Sequence, residues 1–325
     1  MIRYKIAIAI HLFFKYISMN QPLSESQIAG LNLPHVTSNH KLRQVLTAAL
    51  PKQERPKIDL SYQYWNAEFF NLNRVKMFQD ASDREQSAIL EFVNRSLLEE
   101  AYYIENAGVG YMAKMTLLAE TVEERMLYGL FAADEANHLS QISYFLPEIE
   151  LTNHQDPFLN LLAEVVESTD KTVLLFVLQV VLEGWGLSHY RRLAKECCYQ
   201  NLAEIFSGFL EAEARHQATG SLLFEKILIS KSSQELMIEL LAKFLMMVRV
   251  GPQNVLSAIA QVKGDISRSQ KIKILEELDT ETHSGTRLKL LRSLMRGKSA
   301  EAIIQALEEK GAFVPLPAHQ CVNFS

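Results

Sequence analysis

One pattern of acidic residues and histidines occurs twice in this chain: a glutamate stands thirty residues before a Glu-x-x-His motif. The first copy consists of Glu105, Glu135 and His138, and the second consists of Glu183, Glu213 and His216. A single Glu-x-x-His motif is weak evidence, because a chain with nine histidines and many glutamates contains about one by chance. Two copies with the same spacing restrict the fold, because each copy must bring distant residues together in the same way.

The whole chain is predicted to be helical. Apolar residues recur at every third and fourth position, whereas the alternation typical of strands is hard to find. Only 13 glycines and 9 prolines occur in 325 residues, which favours short connections. We therefore predict an all-α fold. Its long helices are expected at about 82–118, 121–145, 157–197 and 201–229, with a short helix near 40–50 and several shorter helices after residue 233 that break near Gly251-Pro252, Gly264 and Gly297.

Helix starts are predicted from capping patterns. Thr121 and Glu124 fit a capping box at the start of the second long helix. Asn201, followed by Glu204, offers a start for the fourth. These positions place turns near residue 120 and near residues 199–200.

Helix geometry then brings each repeated pattern to one height. Glu105 lies about 15 residues before the first turn and Glu135 about 15 residues after it, so at 1.5 Å rise per residue each lies roughly 22 Å from the turn. An antiparallel hairpin would place the two glutamates side by side, and the same holds for Glu183 and Glu213. Because residues i and i+3 share a helix face, each histidine points with its glutamate. Four carboxylates and two imidazoles are thus predicted at one level of a bundle.

The predicted cluster is suited to two divalent metal ions, whose four positive charges would neutralise four carboxylates in a core. Glu183 supports this interpretation independently, because its surroundings, VLLFVLQVVLEGWGL, are apolar on every side and predict a helix buried all round. A lone carboxylate there would be costly, and a metal ion would offset the cost. The alternative is a buried Glu183 that is hydrogen-bonded to Trp185, a tyrosine or a histidine.

With these residues the chain resembles the ferritin-like di-iron carboxylate superfamily, in which two helices each supply a glutamate and two others each supply Glu-x-x-His. The resemblance covers roughly residues 61–228 and implies a ferritin-like four-helix bundle. A 1–60 N-terminal arm and a 229–325 C-terminal helical extension lie outside it and add further helices. The ligand spacing is most similar to that of soluble di-iron oxygenases and aldehyde-deformylating oxygenases.

The resemblance implies a role for each metal-binding residue. Glu135 and Glu213 would bridge two iron ions, with a mixed Mn/Fe pair as an alternative. Glu105 and Glu183 would be terminal ligands, and each metal would receive one histidine nitrogen. The predicted ligands are Glu105, Glu135, His138, Glu183, Glu213 and His216.

Some positions depart from the family pattern. Many relatives carry an aspartate before each bridging glutamate, and this aspartate orients the opposite histidine. Asp134 matches and is expected to hold His216. Ala212 occupies the corresponding position in the second half, so His138 needs another partner. Glu100 is the alternative to Glu105 as first ligand.

Glycines follow both terminal glutamates. A glycine within a helix costs about 1 kcal/mol relative to alanine, so glycines at this level require a reason. We predict that they leave room for substrate or dioxygen beside the metals. The alternative is close packing between helices. These residues are Gly108, Gly110, Gly184 and Gly186.

The predicted function is that of a non-haem di-iron oxidoreductase, which activates O2 at a Glu4His2 site and oxidises an apolar small molecule by hydroxylation, desaturation or C–C cleavage. Expected partners are O2, an apolar substrate that could be carrier-bound, and an electron donor such as ferredoxin; a homodimer is one option. The alternative is a metal-handling or peroxide-detoxifying ferritin- or rubrerythrin-like protein without an organic substrate. The chain lacks the rubredoxin-type CxxC pair that rubrerythrins usually carry.

Charge and cysteine content bear on partners and location. The net charge of −5 and a pI of about 6.0 do not favour nucleic-acid binding. Three cysteines without a CxxC motif are typical of a reduced, cytoplasmic protein. The opening MIRYKIAIAIHLFFKYISM is interrupted by His11 and Lys15 and is too short to span a bilayer. We interpret it as an N-terminal helix or as sequence preceding a true start at Met19, with membrane association as the alternative.

Overall fold

The computed structural model describes residues 28–37, 39–52, 63–146 and 156–324, and these residues form helices and connections without a strand among them. The all-α prediction is confirmed. The segment 1–27, which includes the apolar opening, lies outside the described residues, as does most of the connection before Pro157.

The helices are numbered in chain order. Short 3-10 turns lie at Leu72–Arg74, Lys298–Ala300 and Val322–Phe324. The helices are α1 (Lys41–Ala49), α2 (Lys76–Gln79), α3 (Asp83–Leu118), α4 (Val122–Ser143), α5 (Pro157–Glu167), α6 (Lys171–Glu196), α7 (Gln200–Phe224), α8 (Lys231–Arg249), α9 (Gln253–Lys263), α10 (Arg268–Glu277), α11 (Thr280–Leu294), α12 (Glu301–Glu309) and α13 (Ala318–Cys321).

The centre of the fold consists of two helical hairpins, α3 with α4 and α6 with α7, which pack against each other. Ser82 starts α3 with a full capping box, in which its side chain accepts from the Glu85 backbone N–H and the Glu85 carboxylate accepts from the Ser82 backbone N–H. Thr121 caps α4 by accepting from the Glu124 N–H at 3.1 Å. The Glu124 carboxylate accepts from the Glu120 N–H instead of completing the box. Both caps fix where the long helices begin.

The predicted helix 157–197 is wrong in one respect, because it is two helices. The chain leaves the helical path at Ser168 to Asp170. Lys114 from α3 donates to the carbonyls of Val166 and Ser168 at 2.7 and 2.5 Å. These hydrogen bonds supply donors to carbonyls at the C-terminal end of α5, where the helix itself offers none. The Asp170 side chain then caps α6 by accepting from the Thr172 N–H.

The predicted bounds of the fourth helix are also corrected. Helix α7 begins at Gln200, with Tyr199 as its N-cap residue and no side-chain cap, so Asn201 does not start it. The Cys198 N–H donates to the Tyr64 carbonyl at 2.7 Å, which fixes the turn from outside the hairpin. The helix ends at Phe224 and not at Ile229.

A π-helical segment, Leu174–Leu182, forms the buried part of α6 and runs up to Glu183. All of its side chains are buried. Hydrogen bonds from i to i+5 widen the helix relative to an α-helix, and such segments are frequent at functional sites. By length and composition α6 is the one helix in the described part of the chain that could cross a membrane, but 61% of its most apolar stretch is buried inside the protein, as in a core helix.

The helices after residue 230 pack against the outside of this centre. Helix α8 contacts α5 and α6, and α9 contacts α3. Their breaks lie at Gly251, Gly264 and Gly297, as predicted, and all three glycines have a positive φ that favours glycine. The predicted boundaries of the arm, the bundle and the extension remain predictions.

Candidate metal centre

Side chains from the four central helices form two overlapping groups of potential metal ligands. In the first group, Glu105, Glu135, His138 and Glu213 offer atoms that all lie within 4.8 Å of one another. In the second group, Glu135 joins Glu183 and His216 under the same limit. Because Glu135 belongs to both groups, the arrangement offers two neighbouring positions for metal ions that share a carboxylate.

The two histidines direct equivalent atoms into the cluster. His138 Nδ1 lies 3.1 Å from Glu105 Oε2 and 3.3 Å from Glu213 Oε1. His216 Nδ1 lies 3.2 Å from Glu135 Oε1 and 3.7 Å from Glu213 Oε2. The two oxygens of Glu213 therefore face different histidines. Two ligand atoms at about 2.1 Å from one metal lie roughly 3–3.5 Å apart. Three of these four distances fall in that range, and the fourth, from His216 Nδ1 to Glu213 Oε2, is 3.7 Å.

The cluster is buried and only partly satisfied by hydrogen bonds. Glu105, Glu135, His138, Glu213 and His216 are each at most 5% exposed. Within the described residues, Glu183 Oε2 and His216 Nδ1 are enclosed and have no hydrogen-bond partner. The Oε2 atom of Glu183 therefore lacks the hydrogen bond to Trp185, a tyrosine or a histidine that was the alternative to metal binding. Unsatisfied buried polar atoms cost about 1–3 kcal/mol each, and more for charged groups, so the donor set fits a cation.

The pKa values of the carboxylates show that the buried cluster disfavours several ionised carboxylates at once. Burial, together with the repulsion of Glu213 and Glu105, raises the pKa of Glu135 well above its ordinary value. Burial also raises the pKa of Glu183 well above its ordinary value, against the opposing effect of His216. Burial would raise the pKa of Glu213 as well, but the attraction of the neighbouring His138 and His216 outweighs it and lowers this pKa to about 2.

The pKa values of both histidines are raised as well. Burial would lower the pKa of both, but the neighbouring carboxylates outweigh it and raise the pKa of His138 to about 10 and that of His216 to about 9. Without metal, the cluster thus holds protons that supply the positive charge a cation would otherwise bring.

Each histidine is supported differently. Asp134 Oδ2 lies 3.4 Å from His216 Nε2, on the side of the ring that faces away from the cluster, which is the position expected for Asp134. His138 instead stacks on Phe209, with ring centroids 3.9 Å apart and planes at 26°. The Phe209 ring therefore restrains His138 by packing on the face of the imidazole. Sequence reasoning missed Phe209, because an apolar residue at that spacing is ordinary core.

Tyr190 and Gln179 extend the site beyond the predicted ligands. The Tyr190 hydroxyl donates to Glu105 Oε1. Gln179, fully buried in the π-helical segment, accepts from the hydroxyls of Tyr111 and Tyr128 at 3.0 and 2.7 Å and donates to the His216 carbonyl at 2.8 Å. It therefore connects all four central helices. Its one sequence signal was a single polar residue within LLFVLQVVL.

A narrow cavity of about 90 Å³ lies beside the cluster, between α3, α5 and α6. Four of the six cluster residues reach its wall, and most of the remaining lining is apolar. It is smaller than the roughly 300–1,000 Å³ pockets that hold drug-sized ligands, so it suits a slender or small molecule. The cavity lining includes Glu100, Gly108, Tyr111, Phe158, Val166, Leu178, Leu182, Trp185, Gly186 and His189.

The four predicted cavity glycines divide into two pairs. Gly108 and Gly186 line the cavity; a Cβ at Gly108 would lie 2.6 Å from Glu135 Oε2, whereas one at Gly186 would meet nothing within 4 Å. Gly110 and Gly184 do not line it. Gly110 admits the Ile28 carbonyl of the N-terminal segment, and Gly184 admits the Leu294 side chain of α11 at 3.0 Å.

Glu100, the alternative first ligand, belongs to neither ligand group and lies at the far end of the cavity beside His189. Glu105 takes the cluster position. Comparisons with protein-family models, with curated proteins and with solved structures give no match.

Proposed function

We propose that the chain is a ferritin-like, non-haem di-iron oxidoreductase that activates O2 at a Glu4His2 site and oxidises an apolar small molecule. The observation that carries this proposal is the pair of ligand groups that share Glu135 beside an apolar cavity. Histidine nitrogen with carboxylate oxygen is a donor set suited to iron. Two divalent ions would neutralise the four carboxylates, so the whole cluster could be buried without net charge.

The six cluster residues would hold the metals in two sets. Glu105 and His138 would bind one ion, and Glu183 and His216 would bind the other. Glu135 and Glu213 would lie between them, because each presents separate oxygens towards the two histidines. Two iron ions, or a Mn/Fe pair, would supply the electrons and the oxidising power for O2 chemistry.

The remaining residues would position ligands and exclude water. Tyr190 holds one oxygen of Glu105, Asp134 faces the outer nitrogen of His216, and Gln179 holds the backbone carbonyl of His216. Leu178, Leu182 and Val166 line the cavity with apolar side chains beside the ligands and would exclude water from it. An apolar substrate would therefore meet the metals in an environment without competing water.

The alternative is a metal-handling or peroxide-detoxifying protein, and the cavity favours the oxidation of an organic substrate over it. A protein that only stores iron or removes peroxide does not need an apolar cavity against its ligands. The electron donor such as ferredoxin, carrier delivery of the substrate, a homodimer and the cytoplasmic location are further parts of the proposal.

The test is single-turnover oxidation. Protein loaded anaerobically with Fe(II) is mixed with a panel of apolar compounds and exposed to O2, and products are identified by mass spectrometry. We expect at least one compound to gain oxygen, lose hydrogen or lose a carbon, and no product from Glu183→Ala. Rapid consumption of hydrogen peroxide without any organic product would support the alternative instead.

A further inference from the structure

The cavity beside the metal centre has two chemically different ends. Helices α3 and α6 run antiparallel there, because Glu100 faces His189 at one end and Tyr111 contacts Gln179 at the other. Tyr111 lies eleven residues after Glu100 in the sequence, so the cavity follows α3 for about 16 Å. The metal-binding cluster opens onto it between these ends, at Glu105 and Glu183.

The end near Tyr111 is apolar. Val166 and Leu178 line it, and the Tyr111 hydroxyl is already used by Gln179. A hydrocarbon chain or ring fits this end, whereas a polar group would lose its hydrogen bonds to water.

The other end combines a carboxylate, an imidazole and two aromatic rings. Glu100 Oε1 lies 4.0 Å from His189 Nε2, so one small group could contact both. Trp185, one helical turn before His189, and Phe158 line the same end; both of their rings lie about 6 Å from the ring of Phe244. We call these four residues, Glu100, Phe158, Trp185 and His189, the outer subsite.

The charges around the outer subsite leave the Glu100 carboxylate poorly compensated. Burial, together with Asp156, raises the pKa of Glu100 to about 7, although Arg287 opposes the shift. Burial, with Arg287 and Arg192, lowers the pKa of His189 to about 4, so this imidazole is uncharged at neutral pH. Neither arginine lines the cavity, and Arg192 is held by the Phe69 carbonyl and ring.

Three kinds of head group can be compared against this surface. A carboxylate would meet Glu100 and be repelled. A head without polar atoms would form no hydrogen bond to Glu100 or His189. A protonated amine can donate to Glu100 and to the unprotonated His189 nitrogen, and the faces of aromatic rings attract cations.

We propose that the outer subsite binds the positively charged amine head of a slender apolar substrate, whose apolar part extends past the metal ligands towards Val166 and Leu178. The oxidation of the apolar part of this substrate rests on the proposed function, whereas binding of the amine head does not. Glu105 lies five residues after Glu100, so the carbon presented to the metals lies roughly 7 Å from the nitrogen.

Binding of three probes with the same chain length tests the subsite. Octylamine, 1-octanol and octanoate are titrated calorimetrically into Fe(II)-loaded protein under anaerobic conditions and into metal-free protein, at about pH 8, above the pKa of Glu100 of about 7. We expect octylamine to bind at least about tenfold more tightly than either other probe, as charge-assisted hydrogen bonds predict. The metal-free arm reports this preference even if the oxygen chemistry proposed above fails.

Substitutions locate the preference. Glu100→Gln is expected to weaken octylamine binding about tenfold while octanol binding and metal content stay the same. Glu99→Gln is the matched control, because Glu99 is adjacent in sequence, pairs with Arg95 at 2.7 Å and does not line the cavity. Trp185→Leu should weaken octylamine binding several-fold and serves as a second variant if Glu100→Gln does not fold. Equal or tighter binding of octanoate to the wild type, or octylamine binding unchanged by Glu100→Gln, would overturn the proposal.

Discussion

At the residue scale, the proposed metal site consists of six side chains whose regular spacing is visible in the sequence. A period of thirty residues, taken with the rise of a helix, predicts that Glu105 meets Glu135 and that Glu183 meets Glu213. In the structure Glu105 shares a ligand group with Glu135, whereas Glu183 shares one with Glu135 and His216. The same reasoning could not find Phe209 or Tyr190 as partners of His138 and Glu105. These contacts depend on which faces of α6 and α7 meet, and apolar or aromatic residues at helical spacing carry no sign of their partner.

The histidines predict how the stability of the metal-free protein depends on pH. Their folded pKa values, about 10 for His138 and about 9 for His216, exceed the ordinary 6.5. Their contribution to stability is therefore complete below about pH 6.5 and is lost as the pH rises towards 9 and 10. We expect the melting temperature of metal-free protein, measured by circular dichroism, to fall as the pH rises through this range. Metal-loaded protein should fall less, because metal replaces the protons.

A melting temperature of the metal-free protein that stayed constant or rose across that pH range would contradict this assignment of protons to the cluster.

Substitutions of two glycines should separate metal binding from turnover. Gly108→Ala should reduce metal content, because its Cβ would displace Glu135, whose Oε2 lies 2.6 Å away. Gly186→Leu should keep the metals but abolish substrate oxidation, since its side chain would enter open space in the cavity. Elemental analysis and product formation separate the two results. Loss of metal in Gly186→Leu would show that this glycine serves packing and not access.

At the element scale, the sequence predicted the hairpins but not the interruptions within them. The run LLFVLQVVL is apolar on all faces, which identifies a buried helix and cannot distinguish α from π geometry. The break at Ser168–Asp170 depends on Lys114, which reaches across from α3 to the end of α5. Such a contact between distant elements leaves no local pattern. The turn 119–121, by contrast, follows from the Thr121 cap alone.

Gln179, in the π-helical segment, is expected to stabilise the bundle through the hydrogen bonds of its side-chain amide. Gln179→Leu would leave the buried hydroxyls of Tyr111 and Tyr128 and the His216 carbonyl without this partner. We expect the free energy of unfolding to fall by about 1–3 kcal/mol or more, measured by urea denaturation. Gln305→Leu, at an exposed position of α12, is the control and should change it by less than about 0.5 kcal/mol. Equal effects of the two substitutions would rule out this role.

At the scale of the whole molecule, the C-terminal helices complete the walls of the site region. Phe244 of α8 packs near both Phe158 and Trp185, and Leu294 of α11 fills the space beside Gly184. The sequence predicted these helices and their glycine breaks but gave no sign of where they pack. Their docking position depends on shape complementarity between surfaces far apart in the chain.

This packing predicts that the bundle depends on the C-terminal extension. A chain ending at residue 228 would expose the surfaces that Met237, Leu241 and Phe244 cover, all of which are at most 3% exposed. We expect this shortened chain to be aggregated or to bind the dye ANS strongly, and to hold less metal than the full chain. A shortened chain that melted cooperatively near the full chain's temperature would show instead that the bundle folds as an independent domain.

The metal content of purified, Fe(II)-loaded protein, measured by elemental analysis for the full chain and two variants, tests most directly whether the cluster holds two metal ions. We expect close to two metal ions per chain in the wild type, because two ligand groups share Glu135. We expect one ion or fewer in Glu183→Ala. Glu211→Ala, whose exposed side chain pairs with Arg215, should keep both ions. A wild type without stoichiometric metal, or a Glu183→Ala variant that retains two ions, would contradict the claim that this cluster is a di-metal site.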